Sequence, residues 1–181
     1  MSLARPDRPV ELVGRSVVLV PVGPEHLPAL VRILAEESVA RWWADSSERF
    51  RDGLLRPDPG ETGFAIVLPS DRAVVGFIQA SEELEPDYRH AGIDLFVATD
   101  HQGRGLGPEA IRLLARWLID VRGHHRLTID PATANRRAIW AYEKVGFRPV
   151  GVMRRYERAR DGSWHDGLLM DLLASELDAD P

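Results

Sequence analysis

The segment Gln102-Gly103-Arg104-Gly105-Leu106-Gly107 constrains the fold of this chain most. It follows an apolar, β-rich run from Ala91 to Thr99 and precedes Pro108, a residue suited to the first turn of a helix. Beyond it Ala110, Ile111, Leu114, Trp117, Leu118 and Val121 recur at three- and four-residue spacing, which predicts an amphipathic helix stopped by Gly123. A strand that turns into a helix through glycines leaves N–H groups free at the helix start, where the helix dipole favours an anion. Arg104 can add a charge-assisted hydrogen bond. Two nucleotide-binding readings fail on spacing. A P-loop ends in Gly-Lys followed by Ser or Thr, whereas Gly107 is followed by Pro108. A dinucleotide fold places its glycines after the first strand of a parallel unit, and this loop follows the third strand of a meander. In isolation the loop reads either as an anion cradle or as a plain strand-to-helix turn.

The rest of the chain alternates short strands and helices. Residues 13–20 read as a strand, 24–37 as a helix through Leu27, Leu30, Val31 and Leu34, and 47–55 as a second short helix before a loop at 56–60. The β-rich runs 62–68 and 73–81 flank Pro69-Ser70-Asp71, a hairpin signal, and 91–99 follows them. After the glycine loop and its helix come a strand at 125–130 and a helix at 135–145, capped by Asn135 and ended by Gly146. Two strands, 147–155 and 164–173, then surround the turn Arg160-Asp161-Gly162-Ser163. This order predicts an α/β (α+β) fold, a mixed and mostly antiparallel sheet of about seven strands flanked by about four helices. Residues 10–174 form the single expected domain, with 1–9 a flexible N-terminus and 175–181 a C-terminal tail.

Composition bounds the chemistry. The 181 residues contain no cysteine, which excludes a disulfide framework, a thiol nucleophile and a cysteine-based zinc site. The six histidines show no ligand spacing with carboxylates, so no metal is expected. No apolar run approaches the roughly 20 residues of a membrane span. Residues 1–9 lack the apolar core of a secretory signal, so a cytoplasmic protein without a membrane partner is expected. The net charge of −5, from 23 basic and 28 acidic residues, argues against a nucleic-acid partner. Within that total, bases cluster at Arg104, Arg112, Arg116, Arg136 and Arg137, while Asp94, Asp130 and Asp166 recur on strand-like segments. Acids on one side of a cleft and bases on the other would hold a cation and an anion together. The run Glu82, Glu83, Glu85, Asp87 reads as solvated surface.

Asn135, Ala138 and Tyr142 lie at i, i+3 and i+7 and share one face of the later helix. Taken alone they are a cap and a half-buried tyrosine. Taken together, Gln102–Gly107 and Asn135–Phe147 (N-R-R-A-I-W-A-Y-E-K-V-G-F) resemble the GCN5-related N-acetyltransferase (GNAT) superfamily. The strand and helix order above covers nearly the whole chain in that fold. The resemblance implies acetyl-CoA as donor. It implies that Gln102, Gly103, Arg104, Gly105, Leu106 and Gly107 hold the pyrophosphate, and that the strand Phe96-Val97-Ala98 pairs with the pantetheine arm. Asn135 would touch that arm, and the Tyr142 hydroxyl would lie near the thioester sulfur as the acid for the departing thiolate.

Three further segments, Arg41-Trp42-Trp43, Gly92-Ile93-Asp94 and Ile129-Asp130-Pro131-Ala132-Thr133-Ala134-Asn135, are similar to the aminoglycoside 6'-N-acetyltransferases. This implies a small-molecule acceptor, an aminoglycoside acetylated on its 6'-amine by direct attack in a ternary complex. Asp94 would be the base or amine-positioning residue, directly or through water, because only a neutral amine attacks a thioester. Asp130 and Asp166 would hold acceptor amines, and Trp42 or Trp43 would wall the sugar. Other readings of the same residues stand beside these: Asp94 as an arginine's partner, Asp130 as a turn residue before Pro131, the tryptophans as hydrophobic cover. Arg154, Arg155, Arg158 and Arg160 would repel a polycation if they faced it. That hairpin also resembles GNAT members that acetylate protein N-termini or a siderophore hydroxylysine. The non-enzyme alternative is a CoA-binding or antibiotic-sequestering module. A monomer or homodimer is expected.

Overall fold

The computed structural model describes residues 10–43, 47–159 and 161–177. Positions 1–9, expected to be a flexible terminus, lie outside the described residues, as do 178–181 of the expected tail and Arg160 of the hairpin turn.

The chain opens with a hairpin where one strand was expected. β1 (Leu12–Val13) pairs antiparallel with β2 (Val18–Pro21), Leu12 against Leu19 and Val13 against Val18. Gly14 makes the turn, donating from its N–H to Val17 O at 2.9 Å. A Cβ at this position would meet the Glu109 carboxylate at 2.6 Å, so the close approach requires glycine. That carboxylate accepts from Ser16 N at 2.7 Å and ties the turn to a later helix.

The expected helix over 24–37 is broken. A 3-10 turn (Pro24–His26) leads into α1 (Leu27–Leu34), and α2 (Glu37–Ala40) is a separate turn of helix before α3 (Ser47–Leu55). Glu36 between α1 and α2 is extended at φ −65° and ψ 133°, and its Oε2 accepts from Thr99 N at 2.6 Å. A tertiary contact thus takes this residue out of the helical register.

β3 (Glu61–Val67), β4 (Val74–Glu83) and β5 (His90–Val97) continue the antiparallel meander. The glycine loop then enters α4 (Leu106–Arg116), which starts ahead of Pro108 because Gly105 caps it at φ +81°. Its end winds into a π-turn over Trp117–Val121, with Arg122 N donating to Trp117 O at 3.1 Å. β6 (Arg126–Ile129), α5 (Arg136–Glu143), β7 (Arg148–Arg158) and β8 (Trp164–Leu173) complete the chain. Among the described residues these strands form one mixed sheet of 8 strands in the order β1-β2-β3-β4-β5-β6-β8-β7, with β5–β6 its parallel pair. Ala174–Glu176 adds a 3-10 turn and Leu177 packs on the core, so packed structure continues beyond residue 174.

Strand alternation separates two cores. Ile93 is buried under α4 with Leu106, Ala110, Ile111 and Leu114, and Leu95 and Val97 lean on the same cluster. Phe96 points the other way, among Leu30, Ile33, Leu34, Phe50 and Phe77. Each of these leucine, isoleucine and phenylalanine side chains contributes on the order of 2 kcal/mol by leaving water. Among the described residues no helix is long and apolar enough to cross a membrane.

The acidic run that begins at the end of β4 is not all solvated surface. The Glu82 side chain is 1% exposed and takes a salt bridge from Arg122 at 3.0 Å and a contact from His124 Nε2 at 2.7 Å. Burial alone would raise its pKa, but hydrogen bonds from His124 and Arg122 outweigh burial and hold it below the usual carboxylate value.

Candidate active site

β5 and β6 run parallel but pair only at Ala91↔Leu127 and Gly92↔Thr128. Beyond that point they part. β6 ends before Asp130-Pro131, where proline has no N–H to extend a ladder, and the departing chain is held by β8 instead. Leu168 N donates to Pro131 O and Thr133 N to Asp166 O, each at 2.8 Å. A cleft of about 1580 Å³ opens along the splayed strands. That exceeds the roughly 300–1,000 Å³ of an ordinary small-ligand pocket and gives room for two ligands together.

One end of the cleft is built for an anion. Gly103 at φ +78° and Gly105 at φ +81° adopt left-handed backbone that glycine tolerates at no steric cost. Gly103, Gly105, Leu106 and Gly107 line the cleft there with Arg112, Arg136, Arg137 and Lys144. Gln102 also lines it, although its side chain is a strut. Nε2 donates to Val97 O at 2.8 Å and Ser38 Oγ at 3.2 Å, while Oε1 accepts from Arg137 Nη1 at 2.9 Å. Asn135 lines the cleft and caps α5, its Oδ1 accepting from Ala138 N at 3.2 Å. Phe96 and Val97 line the wall between the two ends. Ala98 and Arg104 are not among the lining residues. Ala98 is buried in the α1-side core, its N–H donating to Val75 O at 2.8 Å, and Arg104 is exposed. These donors and the strand edge fit a long ligand with phosphate-like charge at one end.

The other end is acidic. Asp94, Asp130 and Glu157 line it, with Tyr142 and Tyr156 between them. Asp94 faces Gln79 across the β4–β5 pair. Burial, the Asp130 charge and the more distant charges of Glu157 and Glu61 push its pKa up to about 6, against a lowering hydrogen bond from Gln79. Tyr142 is raised well above the ordinary phenol value by burial first and then by the Asp94 and Asp130 charges. The Tyr156 hydroxyl hydrogen-bonds Asp130, and this bond, burial and the surrounding carboxylates push it up to about 12.

Both tryptophans line the cleft. Trp43 is also wedged edge-on against Phe96, Phe50 and Phe77, with its ring 5.0 Å from that of Phe96, so it serves as hydrophobic cover as well. Arg41 lies 4.7 Å from the ring centroid of Trp42. Asp166 lies apart, in a shallow depression of about 320 Å³ with Ala132, Thr133, Ala134, Trp164 and His165. Its Oδ1 accepts from Arg155 N at 2.7 Å. Of the hairpin arginines Arg158 lines the cleft, Arg154 and Arg155 do not, and Arg160 lies outside the described residues.

Gln79, Tyr156 and Glu157 join the site without having been singled out from the sequence. Gln79 is brought to Asp94 by strand register, which no local motif encodes. Tyr156 had one signal, Gly167 inside a strand, since glycine there marks a close approach by another group.

A family model described as the acetyltransferase (GNAT) family matches residues 27–147. The aminoglycoside N(6')-acetyltransferase type 1 of Klebsiella pneumoniae is 28% identical over 151 residues, covering 71% of this chain and 73% of that protein. Mycobacterium smegmatis RimJ, solved in complex with CoA-disulfide, matches with a TM-score of 0.75 at 25% identity over 91% of this chain and 85% of that one. The ribosomal-protein-S5-alanine acetyltransferase of Vibrio fischeri shares the fold with a TM-score of 0.80, at 14% identity over 94% of this chain and 100% of that one.

Proposed function

The chain belongs to the acetyltransferase (GNAT) family, and from that membership we propose that it is an acetyl-CoA-dependent N-acetyltransferase acting on a small polycationic amine, the 6'-amine of an aminoglycoside. The observation that carries this reading is the split of charge along one cleft. Asp94, Asp130 and Glu157 gather at one end, while Arg112, Arg136, Arg137 and Lys144 line the other; Arg41, Arg49 and Arg158 also line the cleft. The first set suits an acceptor with several ammonium groups, the second the phosphates of a coenzyme. The similarity to the Klebsiella pneumoniae aminoglycoside N(6')-acetyltransferase supports the same acceptor class.

Acetyl-CoA supplies the acetyl group as a thioester. The chain's own residues do the rest. With a pKa near 6, Asp94 is largely ionised at pH 7 yet basic enough to take the ammonium proton, directly or through water. The β5 backbone near Val97, beyond the last pairing with β6, is available to polarise the carbonyl. Tyr142 keeps its proton until negative charge develops on the departing sulfur, then donates it from the hydroxyl. The absence of any cysteine to carry the acetyl group supports direct attack.

The test is release of free CoA from acetyl-CoA with kanamycin, tobramycin, an analogue bearing hydroxyl at the 6' position, hydroxylysine, and short peptides with free N-termini. Release with the 6'-amines and not with the hydroxyl analogue is expected. Release with peptide or hydroxylysine alone would remove the aminoglycoside assignment and keep the acetyl transfer.

A further inference from the structure

The β7–β8 hairpin is irregular where it passes the acidic end of the cleft. Met153 pairs with Gly167, and pairing resumes with Glu157 against His165. Arg154, Arg155 and Tyr156 therefore stand against Asp166 alone, a bulge of the kind that re-aims a side chain. Arg155 is held at φ +49°, a conformation that residues other than glycine rarely adopt, and its N–H donates to Asp166 Oδ1 at 2.7 Å. Next to this bond lies Gly167, where a Cβ would come within 2.9 Å of Tyr156 Cδ1 and 3.2 Å of Met153 Cε. The tyrosine ring rests on bare backbone, and it lines the cleft together with Asp130, to which its hydroxyl hydrogen-bonds.

The opposite edge of the same β8 residues holds the loop that follows Asp130. Asp166 O accepts from Thr133 N, Leu168 N donates to Pro131 O, and Ala132 bridges to Gly167. Residues 166–168 are thus a splint. One edge carries the loop that begins at Asp130, the other carries the bulge that delivers Tyr156. Asp166 belongs to both edges, through its backbone carbonyl and its side chain.

We infer that Asp166 is a positioning residue and Tyr156 a specificity residue: the Asp166-pinned bulge sets the Tyr156 hydroxyl to orient the Asp130 carboxylate toward a second ammonium group of the acceptor. This rests on the acetyltransferase reading above. A carboxylate that accepts one fixed hydrogen bond keeps further lone pairs in a defined direction, and an ammonium group uses those. The role asked of Asp166 is an acceptor oxygen, which asparagine also has. A role in binding acceptor charge would need the carboxylate itself.

The experiment compares tobramycin with a methyl 6-amino-6-deoxyglucoside, which presents the same primary amine on a single sugar with no second amine. Tyr156→Phe is expected to raise the tobramycin KM about tenfold, more than it lowers kcat, and to affect the single sugar less. Asp166→Ala should reproduce that pattern, and Asp166→Asn should recover most of it. The double variant Asp166→Ala, Tyr156→Phe should be no worse than Tyr156→Phe alone, because both act through one hydrogen bond. Melting temperature and acetyl-CoA affinity accompany each variant. If Asp166→Ala does not fold, Tyr156→Phe and Asp166→Asn carry the test. A tobramycin KM unmoved by Tyr156→Phe, an Asp166→Asn as impaired as Asp166→Ala, or additive losses would each overturn the inference while the acetyltransferase reading stood. Failure of the unmodified protein to acetylate either amine would overturn the inference together with the aminoglycoside assignment.

Discussion

Gln79 and Asp94 face each other across neighbouring strands, the amide Nε2 of one 3.5 Å from the carboxylate Oδ2 of the other. An amide at that distance is a weak partner for a charge. An arginine there would hold Asp94 fully ionised and poorly basic, so the choice of a neutral neighbour leaves burial and the Asp130 charge to set its affinity for a proton.

Asp94→Asn is expected to lower kcat about a hundredfold or more, the usual contribution of a positioned base. Acetyl-CoA affinity should persist, because Asp94 lies at the acidic end of the cleft. Calorimetric titration alongside steady-state rates separates the two. A drop in coenzyme affinity with turnover per bound coenzyme intact would remove Asp94 from the role of base.

The same carboxyl links activity and stability to pH with opposite signs. Activity needs the charged form, so kcat/KM should rise with pH and level off above a midpoint near 6. Stability runs the other way. A pKa raised from 3.8 to about 6 favours the folded state at low pH, and this contribution is lost as pH rises through that window. Asp94→Asn should therefore be the more stable protein at pH 7.5, by about 2–3 kcal/mol, with the advantage gone near pH 4. Urea melts of both proteins at the two pH values check the sign.

Tyr142→Phe is expected to slow turnover roughly a hundredfold at saturating substrates, since the proton for the leaving thiolate must then come from water. Coenzyme affinity should change little. A variant with full turnover would return Tyr142 to the status of a half-buried core residue.

Glu82, Arg122 and His124 form a buried cluster on the far side of β4 from this chemistry. Replacing Glu82 by Gln should cost on the order of 3 kcal/mol, because Arg122 loses its bidentate partner while still partly buried. The stability that Glu82 contributes is present above its ordinary pKa of 4.5 and is lost as pH falls through its lowered folded value. Thermal melts read the loss. Turnover per folded molecule should be unchanged.

What a local signal can encode was legible in the sequence. The glycine loop, the Asn135 cap and the Gly146 stop each sit where their residue types act on their own backbone, and the structure has a glycine turn, a capped helix and a stop at those places. Alternation in β5 separates Asp94 and Phe96 from Ile93, Leu95 and Val97 for the same reason: side-chain direction in a strand is a property of the strand alone. The helix over 24–37 illustrates the limit. Its apolar spacing is continuous, yet Glu36 leaves the helix to accept from Thr99, 63 residues away in sequence.

Tertiary structure alone decided which polar groups meet. Gln79 reaches Asp94 through strand register, Glu82 is buried because Arg122 and His124 come to it from 40 and 42 residues away, and Asp166 spends its carboxylate on the backbone of a bulge. Each is a pairing between distant segments, and its partner is fixed by how sheets register and loops close. A sequence read locally supplies the donors and acceptors, their spacing and the face each occupies. Only the folded chain sets the distances, and in a low-dielectric interior it is distance and burial that decide whether a carboxylate is a base, a strut or half of an ion pair.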